Sequence, residues 1–204
     1  MEISVFGEII RSIRSLNLLE ASGLVFGLLC VLFLIKEKVW TWPLGIIYVL
    51  ISFVIFFEAK LYADLILHVF FLFMNIYGWY YWVYGRVDME KEVPVTTTVL
   101  PTLLMILGIS VVGIFISGQL LTTFTDADLA YWDSTTSVLS VSAMWLSARK
   151  KIENWWIWLF VDILATGIYA YKGLYFYSTL YFIYIFLAIA GYRSWEKSLN
   201  TVNR

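Results

Sequence analysis

Along this chain, long apolar stretches alternate with short clusters of charge, and the stretches set the predicted elements. A helix needs about 20 mostly apolar residues to cross a bilayer. Seven runs approach that requirement: Leu18–Ile35, Trp40–Phe57, Leu65–Tyr84, Val99–Leu121, Ser134–Leu146, Trp155–Tyr171 and Tyr175–Tyr192. The fifth is short and opens on the polar Ser134-Thr135-Thr136-Ser137, so it suits a helix that faces other helices or a cavity. The pattern predicts an all-α integral membrane protein with seven transmembrane helices. The charged N-terminus leads into a run too long for a signal-peptide core, so no cleaved leader is expected.

The runs also repeat. Residues 20–82 lie on residues 133–195 at a constant offset and without a gap. Trp42 then meets Trp155, Leu61-Tyr62 meets Leu174-Tyr175, and Gly78…Trp82 meets Gly191…Trp195. Lys36…Lys38 meets Arg149…Lys151, and the acids Glu20 and Asp133 coincide at the start of their runs. Three helices, one linking helix and three helices again give both triplets the same orientation. That is a parallel 3+1+3 repeat, and transporters built this way carry substrate between the repeats. The expected division is residues 1–95 for the first bundle, 96–132 for the linking helix and its loop, and 133–204 for the second bundle and tail.

Composition supports the membrane reading. The chain is 61% hydrophobic and 14% charged, against about 45–50% and 25% in soluble domains. Its ten tryptophans cluster at the ends of runs, as in interfacial aromatic belts. A formal charge of −1 with no basic stripe gives no reason to expect nucleic acid. Loop charge sets direction. Arg11, Arg14, Lys60 and Lys172 fall on one side, and Lys36, Lys38, Arg86, Lys91, Arg149, Lys150, Lys151, Arg193, Lys197 and Arg204 on the other. The positive-inside rule then puts the N-terminus outside and the C-terminus in the cytoplasm. The turn carrying Arg149, Lys150, Lys151 and Glu153 is expected to be solvated. Trp155 and Trp156 are expected to anchor the interface.

A few polar groups interrupt the spans. Asp162 lies near the middle of the sixth, where a carboxylate costs roughly 2.5–3.5 kcal/mol on insertion scales and marks a functional site or a structural polar contact. His68 and Asn75 are seven residues apart in the third span, on one helical face, with Phe71, Leu72 and Trp79 on or beside it. The plain alternative for His68 is a bond to a neighbouring carbonyl. Under the repeat His68 corresponds to Tyr181, Asn75 to Ala188 and Asp162 to Val49, so the halves share a scaffold and differ in polar groups. Such asymmetry suits an asymmetric organic substrate. Trp145 and Trp158 lie deep enough to stack on a flat ring. The single cysteine, Cys30, has a packing role. One histidine supports no multi-histidine metal site, no phosphate loop is present, and Ser134 or Ser137 with His68 and Asp133 lacks the spacing of a triad. No enzyme, metal or cofactor is expected.

Two segments, LYADLILHVFFLFMNIYGWYYW and the run from Tyr131 to Trp195, resemble the PnuC-type nicotinamide riboside transporter family. Leu61-Tyr62-Ala63-Asp64, Tyr77-Gly78-Trp79, Trp132-Asp133-Ser134 and Glu153-Asn154-Trp155-x-x-Trp158 carry the match. The resemblance implies a SWEET-like fold, assembly as a homotrimer, and uptake of a vitamin by facilitated diffusion at the plasma membrane, with trapping by a cytoplasmic kinase. The better-known members carry Gln where this chain has His68 and Asn where it has Asp162. Thiamine-transporting relatives use an Asp near Asp162 and share a turn like Tyr171–Tyr175, so thiamine is the alternative cargo. Both vitamins present a flat cationic ring. An ionised Asp162 backed by aromatic faces suits such a ring through charge pairing and cation–π contact. Asp162, His68, Asn75, Trp158, Trp79, Tyr181 and Trp145 are the expected substrate-binding residues. A proton-coupled carrier, in which Asp162 or His68 titrates, and a receptor that binds without transport are the competing readings.

Overall fold

The computed structural model describes residues 5–58, 62–85 and 92–202. Lys60, Leu61, Arg86, Lys91 and Arg204, and the side chains of Tyr62, Ala63 and Asp64, lie outside the described residues. Eight helices follow in order among those residues: α1 (Val5–Ser15), α2 (Leu18–Ile35), α3 (Thr41–Glu58), α4 (Tyr62–Tyr84), α5 (Leu100–Phe124), α6 (Ala130–Ala148), α7 (Asn154–Tyr171) and α8 (Tyr175–Val202). Five of them, α2, α3, α4, α5 and most of α8, are long and apolar enough to cross a membrane. The other two long helices, α6 and α7, hold the Ser/Thr run and Asp162 respectively.

Each helix has a local reason. Asn17 and Glu20 form a reciprocal capping box at the start of α2, which satisfies two otherwise orphaned N–H groups. Pro101 sits in the first turn of α5, where its missing N–H costs nothing. In α6 the polar run bonds back into its own helix: Thr135 donates to the Tyr131 carbonyl, Thr136 to Asp133 and Ser140 to Thr136. The hydroxyls therefore do not break the helix. It begins at Ala130, ahead of both the expected start at Ser134 and the expected boundary at 133. The short amphipathic α1 was not anticipated; among the described residues it packs only on α8.

Six helices close into a ring. Going round it, α2 packs on α3, α3 on α4, α4 on α6, α6 on α7, α7 on α8, and α8 back on α2. Among the described residues, helix α5 touches only α6 and stands outside the ring. Laying residues 20–82 on 133–195 maps every packed pair in the ring onto another packed pair.

The match extends to single side chains. A Cβ on Gly78 would overlap the Trp42 ring, and one on Gly191 would overlap the Trp155 ring. Trp42 meets Trp82 edge-on with centroids 5.3 Å apart, and Trp155 meets Trp195 edge-on at 5.4 Å. The Trp82 indole donates to the Ala148 carbonyl at the end of α6, and Trp195 to Leu34 near the end of α2. Each triplet thus reaches into the other. These four tryptophans, with Val95, Ala148, Ile152 and Ala188, form the core cluster.

Two expectations are corrected here. Trp155 is 2% exposed, a core residue slotted over Gly191, whereas Trp156 is 57% exposed and sits beside Tyr192, as an interfacial residue would. The turn at 149–153 is packed, not solvated. Lys150 is buried and bonded to Glu37, Arg149 lies over the Tyr81 ring and donates to the Tyr77 hydroxyl, and Glu153 accepts from the Thr98 N–H and hydroxyl. An extended segment before α5 straps the turn. Thr96 donates its N–H to the Lys150 carbonyl and accepts from the Ile152 N–H, while Val93 and Val95 are buried.

Candidate functional site

Asp162 projects from the buried side of α7, on the face shared with Val161, Ala165 and Ile168, and is 5% exposed. The ion pairs among the described residues are Glu37–Lys150 and Asp133–Lys172, so neither cation reaches Asp162. Thr166 bonds to the Asp162 backbone carbonyl and leaves the carboxylate aside. A carboxylate buried without a fixed protein cation is a costly feature and marks a candidate functional site.

Its surroundings come from α8 and α3. Tyr181 and Tyr184 lie within electrostatic reach of Asp162 and of Tyr48. Tyr181 stacks on Tyr169 with centroids 5.2 Å apart and meets Tyr184 edge-on. Small residues admit these rings: Gly27 on α2 packs against Tyr48 and the Tyr184 hydroxyl. Tyr48 in turn lies 5.9 Å from His68. His68 is buried among Tyr48, Phe56 and Phe71, the latter two edge-on at 4.7 and 5.2 Å. Polar and aromatic groups from α3, α4, α7 and α8 thus gather on the inner side of the ring, with His68 in ring contact with Tyr48 and Tyr181 in ring contact with Tyr169 and Tyr184.

The arrangement respects the repeat. His68 and Phe71 on α4 are the equivalents of Tyr181 and Tyr184 on α8, and both pairs meet edge-on. Of the expected residues, Asp162, His68 and Tyr181 fall in this region, and Tyr48, Tyr169 and Tyr184 beside them were not singled out from the sequence. The repeat offset applied to Phe71 would have found Tyr184.

Other expected residues fall elsewhere. Asn75 is buried one turn past Phe71, donating to its carbonyl, and fits only because Gly45 on α3 has no side chain. The repeat-equivalent positions reverse the sizes: Trp158 replaces Gly45 and Ala188 replaces Asn75. Trp158 packs against the core cluster and donates to the Ser147 hydroxyl. Trp145 is half-buried on α6. Trp79 is 42% exposed, while Asn75 on the same helix is buried, so Trp79 is not brought into the group. Asp133 pairs with Lys172, away from any triad. Among the described residues no cluster of His, Cys, Asp and Glu could hold a metal ion.

Comparison with known proteins adds an independent line. Residues 17–197 match the family model described as the nicotinamide mononucleotide transporter. The chain is 34% identical to the nicotinamide riboside transporter PnuC of Escherichia coli, over 90% of this chain and 87% of that protein. It is 25% identical to the riboflavin/roseoflavin transporter RibM of Streptomyces davaonensis, over 85% of this chain and 82% of the relative. Among solved structures, the crystal structure of the vitamin B3 transporter PnuC superposes with a TM-score of 0.71 at 25% identity, covering 90% of this chain and 82% of that one.

Proposed function

The chain belongs to the nicotinamide mononucleotide transporter family, and from that premise we propose that it carries nicotinamide riboside into the cell by facilitated diffusion. It is a multi-pass membrane transporter, not an enzyme. The observation that carries the choice of cargo is Asp162, a buried carboxylate with no cationic side chain paired to it among the described residues. The pyridinium of nicotinamide riboside supplies the missing positive charge, and the phenol faces supply cation–π contact. Riboflavin, named for one relative, has a neutral ring and no such need. Thiamine is also cationic, but the relatives named above carry other names.

In this reading the seven long helices all cross the bilayer, in a parallel 3+1+3 order, with the pathway along the axis relating the two triplets. The N-terminus faces outward and the loops carrying Lys36–Lys38 and Arg149–Lys151 face the cytoplasm. Asp162 and Tyr181 meet the ring, and His68 bonds the amide or sugar. The protein assembles as a homotrimer in the plasma membrane, and a cytoplasmic kinase traps the cargo.

The test is uptake by purified protein in liposomes. Nicotinamide riboside should equilibrate without a proton gradient. Uptake that appears only with an imposed gradient would replace facilitated diffusion by proton coupling. Binding with no uptake under either condition would make the protein a receptor.

A further inference from the structure

Among the described residues, Glu37 and Lys150 are the non-glycine residues with left-handed backbone, at φ 54° and 49°. They are equivalent under the repeat. Their loops share one hydrogen-bond pattern: Glu37 donates to the Leu34 carbonyl as Lys150 does to Ser147, and Lys38 to Phe33 as Lys151 does to Leu146. Left-handed geometry ordinarily selects glycine or asparagine, because a Cβ is crowded there. Both loops instead present a charged side chain, and the two charges are opposite.

The two side chains meet. Lys150 Nζ lies 3.0 Å from Glu37 Oε2, with side chains 2% and 17% exposed. The ammonium also sits over the Trp82 ring, 4.5 Å from its centroid. A bond between two repeat-equivalent residues necessarily lies where the two triplets face each other. A path along the axis that relates the triplets, as proposed above, runs through this place. The tryptophan bonds that cross between triplets, Trp82 to Ala148 and Trp195 to Leu34, lie beside it.

We propose that the Glu37–Lys150 pair is the latch that closes one mouth of the transport path, and that it must part for cargo to leave. The proposal rests on the transport reading above. The two sides of the latch are held differently. The Lys150 loop is tied to the strap through Thr96 and Thr98, whereas the Glu37 loop has no strap among the described residues. Opening is therefore a movement of the Glu37 side away from a fixed Lys150, and it uncovers a carboxylate to a departing cation.

Cys30 is a built-in reporter. It is the chain's single cysteine, and its thiol donates to the Thr41 carbonyl just beyond the Glu37 loop. In proteoliposomes, an impermeant maleimide applied from the Lys36–Lys38 side should label wild-type Cys30 slowly. Glu37→Gln leaves a buried ammonium alone, the costly outcome for a buried pair, and should raise labelling by roughly tenfold or more. Lys150→Met should raise it less, because Glu37 retains some water. The exchanged pair, Glu37→Lys with Lys150→Glu, should restore slow labelling, since the two positions are equivalent. Wild-type labelling rates in both single variants, or fast labelling in the exchanged pair, would overturn the latch. If the single variants do not fold, Glu37→Cys with Lys150→Cys in a Cys30→Ser background keeps the idea testable. Cross-linking those thiols with a short bifunctional reagent should stop uptake and leave nicotinamide riboside binding intact; uptake through the cross-link would refute the latch. A wild-type protein that binds but never carries cargo sinks the transport reading instead, and is seen separately.

Discussion

Asp162→Asn is the sharpest test of the site, because it removes charge with almost no change in shape. The side chain is 5% exposed and has no ion-pair partner among the described residues. The Thr166 hydroxyl is committed to the backbone carbonyl, so it does not compensate for the carboxylate. Two unit charges 4 Å apart at an effective dielectric of 20 attract by about 4 kcal/mol, which bounds the effect from above. Asparagine keeps an oxygen acceptor for neighbouring phenols, so only the charge-assisted part is lost. That part is about 1.5–3 kcal/mol, roughly 10- to 150-fold in Kd. Calorimetry on purified protein should show this loss for nicotinamide riboside. Its dihydro form, with the same outline and a neutral ring, should lose far less. Equal weakening of both ligands, or loss of the folded state in Asp162→Asn, would show that the carboxylate is structural and refute the counter-ion argument.

Two further outcomes follow from the packing. Gly78→Ala and Gly191→Ala should each destabilise by about 1–3 kcal/mol, the usual cost of overpacking, because each new methyl enters a tryptophan ring; Gly167→Ala, which meets nothing within 4 Å, should not. Thermal unfolding in detergent measures all three, and equal melting temperatures would refute the paired sockets. His68→Gln should keep nicotinamide riboside binding, whereas His68→Leu should weaken it roughly tenfold by leaving a buried polar partner unmet; titration of both variants decides, and unchanged affinity in each would return His68 to a packing role.

Much of the helix pattern was legible because the bilayer demands long apolar runs. The α2 limits, Leu18 and Ile35, were read directly, since Asn17 and Lys36 bound an uninterrupted apolar stretch. Helix α1 was missed for the opposite reason. It is short, and Arg11 and Arg14 interrupt its apolar positions, so it carries no spanning signal. The twin Gly-x-x-x-Trp pairs gave the repeat, but only packing reveals that each glycine is a socket for the tryptophan of a neighbouring helix. Charge near a helix end reads as solvated from sequence, and Lys150 shows why that inference fails: its partner lies far away in the chain, across the repeat. In the candidate site, Asp162 stood out because a carboxylate is rare among apolar neighbours. Tyr48 and Tyr184 did not, because they are two among fourteen tyrosines.

Among the described residues, helix α5 touches only α6, and its buried residues are Ile106, Ser110 and Gly118. It contributes little to the ring, yet the seven-crossing reading cannot do without it. Two copies of a three-crossing unit joined directly would enter the bilayer in opposite senses, and their matching tryptophan sockets would sit at opposite faces. A single extra crossing corrects the parity. On this account α5 is a spacer whose outward positions need only be apolar, while Ser110, bonded to Ser142, and Gly118, packed under the Tyr131 ring, seat it on α6. A chain severed on either side of it could then assemble from separately inserted halves, provided each half reached the membrane in the same sense.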